Sequence, residues 1–173
     1  MIKLNLGCGY KKKEGYVNVD IDINCKPDMV IDLNTPLPFE DGSVGEVWMD
    51  AVVSYINDLT LFIKELNRVC CNGAKIEIIA PHFSFGFVDP YHVRGIGLGF
   101  VGFINTYTGT NLKVASVRME WLRVPKLHNI IVRGVNKIIS ALANANKNFC
   151  ERIWCYWVGG FELISFEIEV KKD

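Results

Sequence analysis

Residues 4–22 read "LNLGCGYKKKEGYVNVDID". An apolar run stops at Gly7, two glycines flank Cys8, three lysines follow, and a second apolar run ends among Asp20, Ile21 and Asp22. In open α/β sheets, ligands bind beyond the carboxyl ends of the strands, and glycine in the first loop lets the backbone approach them closely. Gly7 and Gly9 meet that need. Only about ten residues separate the two apolar runs, close to the lower limit for a parallel crossover. The connection therefore has room for a turn or so of helix, and the next one, Asp22 to Asp28, for none.

Working outward, "DMVIDL" (28–33) reads as a third strand, "TPLPFEDGS" (35–43) as a loop and "EVWMDAVV" (46–53) as a fourth strand. Asn57 or Asp58 then caps a helix with Leu59, Phe62, Ile63, Leu66, Val69 and Cys70 in a 3.6-residue period, closed by Asn72-Gly73. "AKIEIIAP" (74–81) is a fifth strand. Residues 82–111, rich in glycine and aromatics, read as a long loop with one helical turn, of the kind that forms lids or binding segments. "VASVRMEWLRV" (114–124) alternates as a half-buried strand. Pro125 precedes a helix with Leu127, Ile130, Ile131, Val135, Ile138, Ile139 and Leu142 on one side. "LISFEIEV" (163–170) is a last alternating strand, and the final two strands predict a hairpin-like antiparallel edge. Strands alternating with helices imply a mostly parallel α/β sheet. With no repeat or linker, residues 1–173 read as a single domain.

Half of the 173 residues are hydrophobic and 22% are charged, a globular composition. The net charge of zero argues against a dedicated nucleic-acid binder. Acids lead between Glu14 and Glu65, against Lys26 and Lys64 alone, while Arg94, Lys113, Arg118, Arg123, Arg133 and Lys137 mark the second half. That field suits a cationic ligand near the first half and an anionic one near the second. "GIGLGFVGFI" (95–104) is too short and glycine-rich to span a bilayer. Six cysteines without a C-x-x-C pair, and no signal-peptide pattern ahead of the first strand, predict reduced thiols in a soluble cytoplasmic protein. Nothing in the sequence specifies an oligomeric state.

The glycine loop discriminates among ligands. A dinucleotide fingerprint needs a third glycine where Lys12 stands, and its ribose acid lies about 20 residues on, well past Asp20. A P-loop needs G-K-[ST], which is absent. S-adenosylmethionine requires a tight turn at its amino-acid end, an acid for the ribose hydroxyls and a polar contact for adenine. Asp20, ending the second strand, is placed for the ribose, and Asp32, ending the third, for the adenine amino group. Lys11, Lys12 and Lys13 then read as the solvent side of the loop, with a weak role near the cofactor carboxylate as the other reading.

In order, "LNLGCG", "VNVDID", "VIDLNTPLPFEDGSVGEV", "ELNRVCCNGAKIEIIAPHFS" and "DPYH" resemble small class I S-adenosylmethionine-dependent methyltransferases. The likeness is greatest to a compact branch often found with surface-polysaccharide biosynthesis, over residues 2 to about 94. It implies a Rossmann-like three-layer sandwich: a mostly parallel seven-stranded sheet with its last strand antiparallel and its first crossovers shortened. It also implies that Gly7, Cys8 and Gly9 line the methionine part of the cofactor and that Asp20 and Ile21 lie at the ribose. Asp32 and Leu33 fall at the adenine, Asp50 near the methionine end, and Asn5 replaces the acid that usually holds the loop. Val44-Gly45 stands where the family reads Phe-Asp, and Val53-Ser54-Tyr55 where it reads Leu-Glu-His.

Methyl transfer from a sulfonium is an in-line displacement in which alignment does most of the work, and a base helps a hydroxyl or protonated amine acceptor. His82, Asp89 and His92 are the candidate catalytic residues, with ordering of the lid as their other reading. Their types would also suit a metal, but no spacing marks a metal site and none is expected. Arg94, Arg118 and Arg123 suit an anionic group on the acceptor or plain solvation. Phe149, Trp154, Tyr156 and Trp157 suit a cover for the sheet or a contact with a sugar or lipid carrier. The expected activity is methylation of a small-molecule or glycan-type (saccharide) acceptor. The competing reading is an S-adenosylmethionine-binding regulatory or partner subunit without transferase activity.

Overall fold

A computed structural model describes residues 1–85, 89–123 and 129–172. Strand β1 (Ile2–Leu6) has Leu4, Asn5 and Leu6 all buried, as expected of a parallel strand covered on both faces. It pairs in parallel with β2 (Val17–Asp20) on one side and β4 (Val44–Asp50) on the other, so Leu4 lies between Val17 and Val47. A two-residue β3 (Met29–Val30) extends the sheet beyond β2, and β5 (Cys70–Pro81) lies beyond β4. With β6 (Leu112–Glu120) and β7 (Leu163–Val170), the described residues form a seven-stranded sheet of order β3-β2-β1-β4-β5-β7-β6. The mostly parallel sheet with an antiparallel last strand is therefore observed.

The predicted antiparallel edge formed by the final two strands is observed. β7 is not at the margin; it is antiparallel to β5 on one side and to β6 on the other, so β6 is the edge. Burial accounts for the order. Leu163, Ile164, Phe166, Ile168 and Val170 of β7 are buried, whereas most of β6 is partly or fully exposed.

Between β1 and β2 the chain makes turns and no helix at all. A single 3-10 turn, Ile23–Cys25, fills the next connection. Helix α1 (Leu59–Val69) is capped by Asp58, whose side chain accepts from the Leu61 amide, and it buries Phe62, Ile63, Leu66 and Val69. It ends at Val69, before the predicted Asn72-Gly73 stop, because Cys70 is already extended and begins β5. Gly73, at φ 79°, instead sits in an irregularity of β5 where the register with β4 shifts.

Segment 82–111 carries more helix than its composition predicts: α2 (Phe100–Thr108) follows Gly99 and stops at the left-handed Gly109. Phe100 rests against Phe166 of β7 at 5.8 Å between ring centroids.

Helix α3 (Ile130–Ala145), capped by Asn129, has the apolar side expected of it, but that side faces outward. Toward the sheet it turns Asn136, Ser140 and Asn144, spaced one helical turn apart. Asn144 accepts from the Met119 amide at 3.0 Å and donates to the Met119 carbonyl at 2.8 Å. Ser140 accepts from Trp121 N and Asn136 from Leu122 N. The helix thus supplies the backbone partners that the end of an edge strand lacks. Pro125 and Leu127 of the predicted helix lie outside the described residues. Short helical turns over Lys147–Phe149, Cys150–Trp154 and Cys155–Trp157 lead to β7. Among the described residues, no helix is long and apolar enough to cross a membrane.

Candidate functional site

The loop after β1 is held by side chains in place of helical hydrogen bonds. Asn5, fully buried, donates to the Lys11 carbonyl at 3.0 Å and to Asn18 Oδ1 at 2.8 Å. Asn18 Oδ1 also accepts from the Lys13 amide at 2.8 Å. Asp28 in turn accepts from the amide and side chain of Asn18, bonds that hold its carboxyl below the usual carboxylate range. Asn5 therefore acts as a bolt behind the loop.

Gly7 (φ 64°) and Gly9 (φ 48°) take left-handed conformations that side chains rarely adopt. A Cβ on Gly7 would stand 2.4 Å from Val52 Cγ2, so this turn packs directly on the segment after β4. Cys8 N donates to the Val19 carbonyl at 2.9 Å. Asp20 fastens the same loop to the end of β2: its Oδ2 accepts from Gly9 N at 2.7 Å and its Oδ1 from Asp22 N at 2.9 Å. The thiols of Cys8 and Cys25 and a carboxylate oxygen of Asp20 lie within 4.8 Å of one another. Burial first, then Cys25 and Asp20, push the Cys8 thiol up to about 11, so it is protonated and unreactive at neutral pH.

Beyond these strand ends opens a cavity of about 470 Å3, lined by Gly7, Asp20, Ile21, Asp32, Leu33, Asp50 and Tyr55 among others. Among the described residues its wall carries three carboxylates and no lysine or arginine. Asp32 accepts from the amide and side chain of Asn34, which keeps its carboxyl below the ordinary value. Asp50 is clamped from behind, with Lys11 Nζ at 2.8 Å and Arg123 Nη2 at 2.6 and 2.7 Å from its two oxygens. Of the three lysines expected at the solvent edge, Lys11 thus reaches the site. Lys12 bonds the Lys26 carbonyl, and Lys13 lies 4.5 Å from the Trp48 ring centre. The residue after Asp50, Ala51, has φ 60°, a strained value for alanine at the rim of a cavity.

A second cavity, of about 190 Å3, shares Ala51 and Tyr55 with the first. Asp89, His92, Arg123 and Glu162 also line it. Tyr55 Oη donates to Asp89 Oδ2 at 2.6 Å, and Asp89 Oδ1 accepts from Tyr91 N at 2.9 Å. These two bonds hold the Asp89 carboxyl below its usual range. Burial and the Asp89 bond push the Tyr55 phenol up to about 12. The His92 ring meets Tyr55 edge-on at 4.7 Å, with Nε2 3.9 Å from Asp89 Oδ2.

His82 is not in this group. Fully buried, it bonds Ser84 Oγ through Nδ1 at 2.7 Å, and burial lowers its pKa from 6.5 to about 4. The 3.5 Å approach of Nε2 to Glu151 is therefore a contact of a neutral ring and not an ion pair near pH 7. Arg94 is spent on the carbonyls of Val53, Ile56 and Asn57, and Arg118 is exposed on β6. Tyr55 and Arg123 are the site residues that the sequence underrates. The sequence marks Tyr55 only as a departure from the family pattern, and Arg123 as one of three arginines suited to an anionic group on the acceptor or to solvation.

No family model matches the chain, and no curated protein is similar to it in sequence. Solved structures do match. A SAM-dependent methyltransferase from Archaeoglobus fulgidus superposes with a TM-score of 0.64 at 18% identity, over 97% of this chain and 86% of that one. Phosphoethanolamine N-methyltransferase 2 of Haemonchus contortus, in complex with S-adenosyl-L-methionine, gives 0.59 at 16% identity, over 100% of this chain and 50% of that one. The [4+2]-cyclase SpnF gives 0.63 at 10% identity, over 98% and 75%. The fold is that of class I S-adenosylmethionine-dependent methyltransferases. Within the methyltransferase fold the glycine turn and the acids Asp20, Asp32 and Asp50 gather at one cavity. A cyclase on the same frame illustrates that fold alone does not set the reaction.

Proposed function

We propose that the chain binds S-adenosylmethionine in the 470 Å3 cavity and transfers its methyl group to a small-molecule or glycan-type acceptor in the adjoining cleft. One observation carries this reading: among the described residues, the wall of the larger cavity presents Asp20, Asp32 and Asp50 and no cationic side chain. That wall suits a sulfonium bearing an ammonium and a ribose diol, and it disfavours a diphosphate. When bound, the cofactor supplies an electrophilic methyl group on sulfur, which the acceptor takes in line. Asp20, already fastened to Gly9, presents its carboxylate to the ribose hydroxyls, with Ile21 beside it. Asp32 and Leu33 flank the adenine, and Gly7 lies on the wall beside the methionine chain, with Cys8 and Gly9 following it in the same turn. Asp50, held in place from behind by Lys11 and Arg123, accepts the ammonium.

Tyr55 closes the common wall between cofactor and acceptor. Asp89, kept ionised by Tyr55 and Tyr91, takes the proton of an acceptor hydroxyl or ammonium, with His92 beside it. His82, enclosed behind the cleft, orders the segment that carries Asp89 and His92. Segment 82–111 is the lid over the acceptor, within one domain of 173 residues. Six free thiols accord with a reducing, cytoplasmic setting.

The test is a thermal-shift titration with S-adenosylhomocysteine, since a ligand specific for the native state raises Tm by mass action. Wild type should shift and Asp20→Ala should not; no shift, or equal shifts, sinks the cofactor assignment. Labelled-methyl transfer across hydroxyl, amine and saccharide acceptors then separates an enzyme from a cofactor-binding subunit.

A further inference from the structure

Helix α3 reverses the usual arrangement of an amphipathic surface helix. Its polar row, Asn136, Ser140 and Asn144, is consumed by the backbone at the end of β6 and the two residues after it. Its apolar side is left to solvent, with Ile131 72%, Ile138 62% and Leu142 64% exposed. The adjoining helical turns continue the surface, with Tyr156 exposed and Trp157 85% exposed. Between α3 and those turns lies a cavity of about 270 Å3 bounded chiefly by apolar groups, including Leu142, Phe149 and Trp154. A contiguous apolar surface of this kind marks an interaction site.

The charges identify what it meets. From Asn129 to Phe161 the chain carries Arg133, Lys137, Lys147 and Arg152 against Glu151 alone. Glu151 is turned inward, accepting from the Leu98 amide at 2.5 Å. Helical spacing places the exposed Lys137 at one border of the apolar side, next to Ile130, where its stem covers hydrocarbon while its head remains in water, and sets the exposed Arg133 in line with Ser140 and Asn144 near the start of the helix. An apolar helix face with a cation at its border, and with tryptophan and tyrosine beside it, matches the anionic surface of a bilayer. A second copy suits it less, because twofold pairing through this face brings the same cations from both subunits to one interface.

We infer that α3 and the turns after it form a membrane-surface docking face for anionic lipid, its apolar residues seated at the headgroup boundary and its 270 Å3 cavity open to an acyl chain. This inference does not rest on the proposed methyl transfer.

Co-sedimentation of the full chain tests it, with vesicles of phosphatidylcholine alone or of equimolar phosphatidylcholine and phosphatidylserine. The wild type should pellet with the mixed vesicles, and molar salt should weaken the association. Ile138→Glu should reduce binding about tenfold or more by placing a charge on the inserted side. Lys137→Glu should also weaken it. Trp157→Ala, outside α3, should do so while leaving the helix untouched, so the result does not depend on one variant's folding. Recovery equal with and without vesicles overturns the inference, as does equal binding to phosphatidylcholine alone or full binding by Ile138→Glu. A lipid-free dimer that Ile138→Glu dissociates, measured by light scattering, would instead give the face to a second copy.

Discussion

Replacing Gly7 with alanine should lower stability by about 2 kcal/mol or more, combining a left-handed φ with an unavoidable collision. The new Cβ would lie 2.4 Å from Val52 Cγ2, and relief requires moving the segment that bears Ala51 and Tyr55. A reduced Tm together with a weakened response to S-adenosylhomocysteine is the expected result; a response equal to wild type would show that the turn does not shape the pocket. Tyr55→Phe tests the acceptor side. Asp89 owes its lowered pKa first to the Tyr55 hydrogen bond, so removing the hydroxyl raises that pKa. The acid limb of the methyl-transfer pH profile should therefore move to higher pH, with little loss on the alkaline side, and an unmoved limb would remove Asp89 from the proton path. Gly7, Gly9 and Asp20 were legible in the sequence because their tasks are set within one loop. Tyr55 and Arg123 were not, since the first faces Asp89 and the second Asp50, across distances in sequence that no local pattern encodes. Lys11 is exposed, as three lysines in a turn predict, but its ion pair with Asp50 belongs to the same class of distant contact.

Elements repeat this division between local and distant causes. Apolar periodicity located α1 and the strands within a few residues, because burial of one face leaves a direct trace in composition. It could not tell which of two alternating strands lies inside. β7 and β6 both alternate, and only the nearly continuous burial of β7 separates them. Periodicity also found α3 and its apolar side without revealing which side meets the sheet. There hydrogen bonding outranks hydrophobicity, since the row Asn136, Ser140 and Asn144 satisfies three amides and one carbonyl of the sheet margin. Asn144→Ala removes both bonds to Met119, and about 2 kcal/mol should be lost, at about 1 kcal/mol per bond. Chemical denaturation measures this directly, and an unchanged midpoint would mean that apolar contacts alone hold α3 in place.

At the scale of the whole molecule, stability should depend on acid through His82. Its pKa is lowered from 6.5 to about 4, so the unfolded chain binds the proton first as pH falls. The contribution of the neutral ring is complete above about pH 6.5 and is lost progressively down to about pH 4, on the order of 3 kcal/mol in all. His82→Asn should flatten this part of the stability–pH curve whatever its effect at neutral pH; the same slope in both proteins would place the acid sensitivity elsewhere. The acidic first half foreshadowed the carboxylate wall of the larger cavity, because β1 to β4 all deliver their carboxyl ends there. The position of β7 has a further consequence for how the chain comes to be folded. β6 leaves the ribosome well before β7, yet among the described residues its sole strand partner in the sheet is β7. Until Leu163–Val170 has been synthesised, both β5 and β6 present unpaired backbone toward the gap between them. The sheet therefore closes only after translation has passed Val170, and the nascent chain depends until then on whatever shields two open edges.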